Sequence, residues 1–145
     1  MDEETFKERT KKFGLTVIQL VETLPRSRTA DIIGRRLLRC GTSVGANYRA
    51  ACWGRSISDV IAKLGVVEEE ADESMYWLDL LVDSHIVPRE QAGKLRDEAD
   101  QLVAMTVASI KTLRGRKQNS QGGSSDSGFH KQPTGIRFQN PKSKI

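Results

Sequence analysis

Carboxylates are prominent among the chemically capable side chains of this 145-residue chain, and seven of them fall between Glu68 and Asp83 with no base among them. Paired carboxylates can serve as general acid and base, or can hold two metal ions inside a helical bundle. The metal chemistry wants Glu-x-x-His on facing helices. The histidines are His85 and His130, and neither follows a Glu at that spacing. Thiols come next. Cys40 and Cys52 stand twelve residues apart, about three turns of a helix that carried both, which is too far for a disulfide. No CxxC or paired-His pattern points to zinc. No histidine lies near either cysteine in sequence, so both read as inert packing residues whose burial raises the thiol pKa. Ser43 and Asn47, four apart, read as hydrogen-bonding groups at a helix contact rather than as nucleophile and helper. The expectation is a protein that is not an enzyme and that uses neither metal nor cofactor.

What remains is the chemistry of arginine. From Arg26 to Arg55 there are seven arginines and one acid, Asp31, a net of +6 against the −7 of the 68–83 segment. On a helical wheel Arg35, Arg39 and Arg49 fall within about 80° of one another, while Glu68, Asp72, Asp79 and Asp83 gather on one flank. Two uses of such stripes stand side by side. They can pair, within a subunit or between subunits, and so decide which surfaces meet. Alternatively, free guanidiniums can grip phosphates, for which a planar fork is better suited than an ammonium. Trp53 carries the same choice between stacking on a base and packing at a helix end.

The elements that position these residues follow from spacing. The stretch "RCGTSVGANYRAACWGRS", residues 39–56, is rich in glycine. It nevertheless lacks both the Lys-Ser/Thr ending of a P-loop and the G-x-G-x-x-G of a dinucleotide fold. Two apolar seams run through it instead. Ala30, Ile33, Leu37, Cys40, Val44, Asn47 and Ala51 form one, and Gly34, Leu38, Gly41, Gly45, Tyr48 and Cys52 form the other, together covering about half of a helix. Each glycine inside a helix costs about 1 kcal/mol against alanine, and close approach of a neighbouring backbone is the offset. The stretch is therefore a helix with an unusually wide packing surface.

Three more helices flank it. Phe6, Phe13, Val17, Leu20 and Leu24 recur at three- and four-residue steps until Pro25 ends the pattern. Thr29 is placed to cap the glycine-rich helix. Ser56 to Asp59 reads as a capping box for a third helix, with Gly54 suited to end the second. Val60, Leu64, Val67, Ala71, Ser74, Leu78 and Leu81 then keep helical spacing. Pro88 suits the start of a fourth helix carrying Ala92, Leu95, Ala99, Leu102, Thr106 and Leu113. Four helices with short connections predict an all-α, up-down-up-down antiparallel bundle over residues 1–114.

Charge divides at the same place. Residues 1–114 hold 17 Lys and Arg against 18 Asp and Glu, whereas residues 115–145 hold 6 against 1. The latter segment is rich in Gly, Ser, Gln and Asn, without periodicity, and reads as a disordered basic tail. Phe129, Ile136 and Phe138 within it read either as a short docking motif or as scattered aromatic and aliphatic groups. No apolar run is long enough to span a membrane, and no secretory leader is evident, so a cytoplasmic location with free thiols is expected.

The residues "LLRCGTSVGANYRAA", followed by Ser56, Asp59 and "EEEADESMYWLDLL", resemble a family of four-helix-bundle proteins. That family includes proteins encoded within intervening sequences of bacterial large-subunit ribosomal RNA, and it is related to accessory proteins of diversity-generating retroelements. The matched positions are Arg39, Ser43, Asn47, Tyr48, Arg49, Ser56, Asp59, Glu70, Glu73, Trp77 and Leu81. The resemblance implies a ring-like homopentamer without enzymatic activity that binds nucleic acid, with retroelement relatives binding a reverse transcriptase and its RNA. This chain departs at Ala50, where the family commonly has Glu, and at Val60, where it commonly has Phe.

Together these readings give a non-enzymatic oligomeric scaffold for nucleic acid, most plainly RNA, with Arg35, Arg39, Arg49, Arg55, Arg114, Arg116 and Lys117 as the contact residues. A pure protein-interaction module is the contrasting reading. Gly41, Gly45 and Tyr48, with Trp77 and Leu80 displaced from the core arc of their helix, are the expected subunit contacts.

Overall fold

The structure, a computed structural model, describes residues 2–122. Its elements are α1 (Glu3–Glu22), α2 (Arg28–Ala51), α3 (Ile57–Asp83) and α4 (Arg89–Gly122). Three of the helices start at a short polar side chain that accepts an otherwise orphaned N–H. Asp2 accepts from the Thr5 amide at 2.7 Å, Ser27 from Ala30 at 3.1 Å and Ser56 from Asp59 at 3.1 Å. The cap of α2 is thus Ser27 and not Thr29, which lies within the first turn. At α3 the return leg of the expected capping box is displaced: the Asp59 carboxylate accepts from the Arg55 amide at 3.0 Å rather than from Ser56. Lys63, bonded to Asp59 at 2.9 Å, and that amide together hold the Asp59 carboxyl below its ordinary range. The carbonyl of Pro88 accepts from Gln91 and Ala92, so the proline stands immediately before α4.

The helices pack in chain order, α1 on α2, α2 on α3 and α3 on α4, with α4 closing back on α1 through the slightest of the four contacts. The resulting bundle buries the faces that periodicity picked out. Val60, Leu64, Val67, Ala71, Ser74, Leu78 and Leu81 of α3 are all inaccessible to solvent. So are Leu37, Cys40, Val44 and Ala51 of α2.

The second seam of α2 faces α1 of the same chain. A side chain at Gly41 would lie 2.8 Å from Cγ2 of Val17, and one at Gly45 would lie 3.3 Å from the Thr10 backbone. Tyr48 stacks on Phe6 with ring centroids 4.1 Å apart and is 1% exposed. This corrects the expectation that Gly41 and Tyr48 meet another subunit: α1 already occupies that side. Trp77 and Leu80 are likewise half-buried against the core rather than uncovered. Gly54 does not end α2 through a left-handed backbone. Its missing side chain makes room for Val60, which a Cβ there would strike.

The sparse α1–α4 contact carries a polar clasp. The Arg9 guanidinium donates to both carboxylate oxygens of Glu98, at 2.9 and 2.8 Å, to Gln101 at 2.9 Å and to the Met105 sulfur at 3.3 Å. A bidentate, partly buried pair exceeds the usual surface ion pair. Arg9→Ala is therefore expected to cost about 1 kcal/mol in a urea titration, whereas an unchanged midpoint would show the clasp to be idle.

The last helix continues to Gly122, beyond the expected boundary at Arg114. The rest of the tail, including Phe129, His130, Ile136 and Phe138, lies outside the described residues.

Candidate nucleic-acid interface

The arginines that share one arc of α2 do not share one fate. Arg39 reaches over α3 and pairs with Glu73 at 3.1 Å and Glu70 at 3.5 Å, and these carboxylates raise its pKa further. Glu73 also accepts from the Trp77 indole N–H at 3.1 Å, while the Arg36 guanidinium stands 6.0 Å from the Trp77 ring centre. The opposite charges of α2 and α3 are thus partly spent within the subunit, as the pairing alternative required. Asp79 is spent in the same way on Arg96 of α4, at 2.6 Å.

Arg35 and Arg49 are exposed and make no ion pair among the described residues. They are fourteen residues apart on α2, about 21 Å along the axis. Because α1 and α2 run antiparallel, Arg35 lies toward the α1 C-terminus and Arg49 toward its N-terminus. Arg49 lines an open groove of about 660 Å³ between these helices, together with Lys7, Lys11, Gly14, Leu15, Ile18, Gly45 and Ala46. Sequence reasoning gave α1 no part in any site. The signal was present in Lys7 and Lys11 one turn apart, with Leu15 and Ile18 outside the buried face.

A tertiary contact places Lys117 at the start of α3. The Lys117 ammonium donates to the Ser58 hydroxyl at 2.6 Å, which ties the end of α4 to the start of α3. Arg55 immediately precedes the Ser56 cap, and Arg114 and Arg116 lie within the last described turns of α4. Trp53, 43% exposed, belongs to the same α2–α3 connection. The N-terminus of α3 opens toward this end and adds its partial positive charge. Four of the expected contact residues, Arg55, Arg114, Arg116 and Lys117, therefore lie toward one end of the bundle.

The thiols are inaccessible. Cys40 receives the Ser74 hydroxyl at 3.3 Å, and its thiol is pushed up by burial. Cys52 lies beside Tyr48, and burial raises it from an ordinary 9.0 to about 12. Neither is expected to react with iodoacetamide at pH 8 in the folded protein, whereas both should react in 6 M guanidinium. Fast labelling of the native state would show the packing to be open. The neutral Cys52 thiol contributes fully to stability below about pH 9, and that contribution is lost as the pH rises toward 12. Among the described residues, no group of three or more His, Cys, Asp or Glu is placed to hold a metal ion. None of the described helices is long and apolar enough to cross a membrane.

Residues 3–108 match the family described as 23S rRNA-intervening sequence protein. The chain belongs to this family. Its fold is also that of a crystal structure from Bacteroides thetaiotaomicron VPI-5482, a protein of unknown function from the S23 ribosomal protein family. The two are 30% identical with a TM-score of 0.72, over 77% of this chain and all of that one. A comparison with curated proteins gives no match. At the two positions where the chain departs from the resemblance, Arg49 beside Ala50 has no ion pair among the described residues, and Val60 fills the space that Gly54 leaves open.

Proposed function

We propose that the protein is a non-enzymatic homo-oligomeric scaffold, most simply a pentamer, that binds RNA in the cytoplasm through the basic end of its bundle. The observation that carries this reading is the Lys117–Ser58 contact, which brings the last described turns of α4, the ones that carry Arg114 and Arg116, to the end of the bundle where Arg55 precedes α3. Basic side chains gathered at a helix N-terminus suit phosphate oxygens, and a half-exposed tryptophan beside them offers a face for an unpaired base. Family membership supports the link to ribosomal RNA. A reverse transcriptase with its RNA, the other setting that the resemblance implies, would present phosphates to the same end.

The test is a salt titration of the full chain with a fluorescent single-stranded RNA. Each phosphate contact adds about 0.7 to the slope of log affinity against log salt. The triple variant Arg55→Ala, Arg116→Ala, Lys117→Ala is expected to bind at least about tenfold more weakly and to lower that slope by about 2. No RNA binding by the wild type, or a triple variant that matches it, would refute the reading. The specific observation favouring the contrasting module, one that only assembles proteins, is Arg39, already engaged by Glu70 and Glu73.

A further inference from the structure

Two exposed features of this molecule, a groove and an aromatic face, carry unpaired charges of opposite sign, yet they cannot meet within one copy. The first is the α1–α2 groove. Gly14, Gly45 and Ala46 keep its floor low, and Leu15 and Ile18, 50% and 39% exposed, stand along its α1 side. Lys11 and Arg49 rise at its rim without an ion pair among the described residues, while Glu4, which also lines the groove, is paired with Lys7, itself engaged by Glu3 as well.

The second feature is the outward face of α3. Glu69, Asp72, Tyr76 and Asp83 fall within about 60° on the wheel. Tyr76 is the most exposed of the large apolar side chains among the described residues, at 56%. Glu70, Glu73 and Asp79 are committed to Arg39 and Arg96 inside the subunit. Glu69, Asp72 and Asp83 are exposed and make no ion pair among the described residues. The ridge is therefore an aromatic side chain flanked by free carboxylates, the counterpart of a trough whose unpaired rim charges, Lys11 and Arg49, are cationic.

Since α3 packs on α2 and α4 but not on α1, it lies diagonally across the bundle from the far wall of the groove. A subunit's own ridge cannot fill its own groove. Symmetric contacts are also disfavoured, because groove on groove opposes Lys11 and Arg49 with cations, and ridge on ridge opposes carboxylates. What remains is a head-to-tail contact, which closes into a ring when the rotation between subunits permits. We propose that the α1–α2 groove of one copy receives the Tyr76 ridge of a second copy. The inference rests on the homo-oligomeric reading above and adds the two surfaces. It places Arg49 in the subunit contact rather than against RNA.

Two variants of the full chain at exposed positions test it by light scattering coupled to size exclusion. In the groove variant, Lys11→Glu and Arg49→Glu reverse the rim; in the ridge variant, Tyr76→Glu removes the aromatic and adds charge. Circular dichroism controls for folding. The wild type is expected above monomer mass and each variant alone at monomer mass with unchanged helicity. An equimolar mixture should give a dimer and nothing larger, since one intact groove and one intact ridge remain. A variant that keeps the wild-type mass overturns the inference while leaving the oligomer reading intact. A mixture that stays monomeric also overturns it, and points instead to a symmetric contact or to an acidic helix of another protein in the groove. A monomeric wild type overturns both readings together.

Discussion

Gly41→Leu is expected to lower stability by about 3 kcal/mol, at the upper end of what overpacking costs. A Cβ at this position already comes within 2.8, 2.9 and 3.1 Å of Cγ2, Cγ1 and Cβ of Val17. Valine has little rotamer freedom in a helix, so it cannot swing aside. Relief requires α1 to move away from α2, which opens the packing around Phe13, Val17 and Leu37, all essentially inaccessible to solvent. Even Gly41→Ala is expected to be destabilising, although alanine is about 1 kcal/mol better than glycine inside an unencumbered helix. Gly65 is the control. A Cβ there meets nothing within 4 Å, so Gly65→Ala should show the propensity gain, a stabilisation of up to about 1 kcal/mol. At Gly45 the Cβ would press on the Thr10 backbone at 3.3 Å, but a longer side chain can turn into the groove. Gly45→Leu should therefore cost nearer 1 kcal/mol, the lower end of the overpacking range. Urea midpoints of the four variants test the order. A Gly41→Leu protein more stable than wild type would mean that α1 does not lie against that seam.

Tyr48→Ala is the second large effect, an expected loss of about 3–5 kcal/mol, as for other buried aromatics cut back to alanine. The ring stacks on Phe6 with an interplanar angle of 23°, and this contact ties the N-terminal turns of α1 to the last turns of α2. Its hydroxyl is buried beside the Cys52 thiol, a poor hydrogen-bonding group, and that burial raises the phenol pKa. Little is therefore lost with the oxygen, and Tyr48→Phe is expected to lie within about 1 kcal/mol of wild type. The pair separates a core role from an interface role. A Tyr48→Ala protein that keeps its unfolding midpoint but loses oligomer mass would return this residue to the subunit contact.

These two residues mark the boundary between what periodicity fixes and what packing fixes. The sequence by itself determined four helices, because apolar residues at three- and four-residue steps can be buried together only on a helix. It determined which faces go inward, since direction around the axis follows from residue number alone. The seven expected core positions of α3 are accordingly all buried. Local chemistry located the starts of α2, α3 and α4 to within two residues. At α2 both Ser27 and Thr29 carry a hydroxyl suited to a cap, and the path of the α1–α2 connection selected Ser27.

Only the tertiary structure decided what each face meets. A wheel shows that Gly41, Gly45 and Tyr48 point away from the main seam, but not that α1 of the same chain fills that side. The distinction depends on interhelical distances set by the whole bundle. The arginines show the same limit. Their common arc on α2 was legible, yet Arg39 is neutralised by carboxylates 31 and 34 residues away in sequence. The start of α3, which Arg55 precedes, is tied to the end of α4 by Ser58 and Lys117, 59 residues apart. Charge is a property of composition, whereas free charge is a property of neighbours. Neighbours this distant in sequence are brought together only by the burial of the four apolar faces against one another.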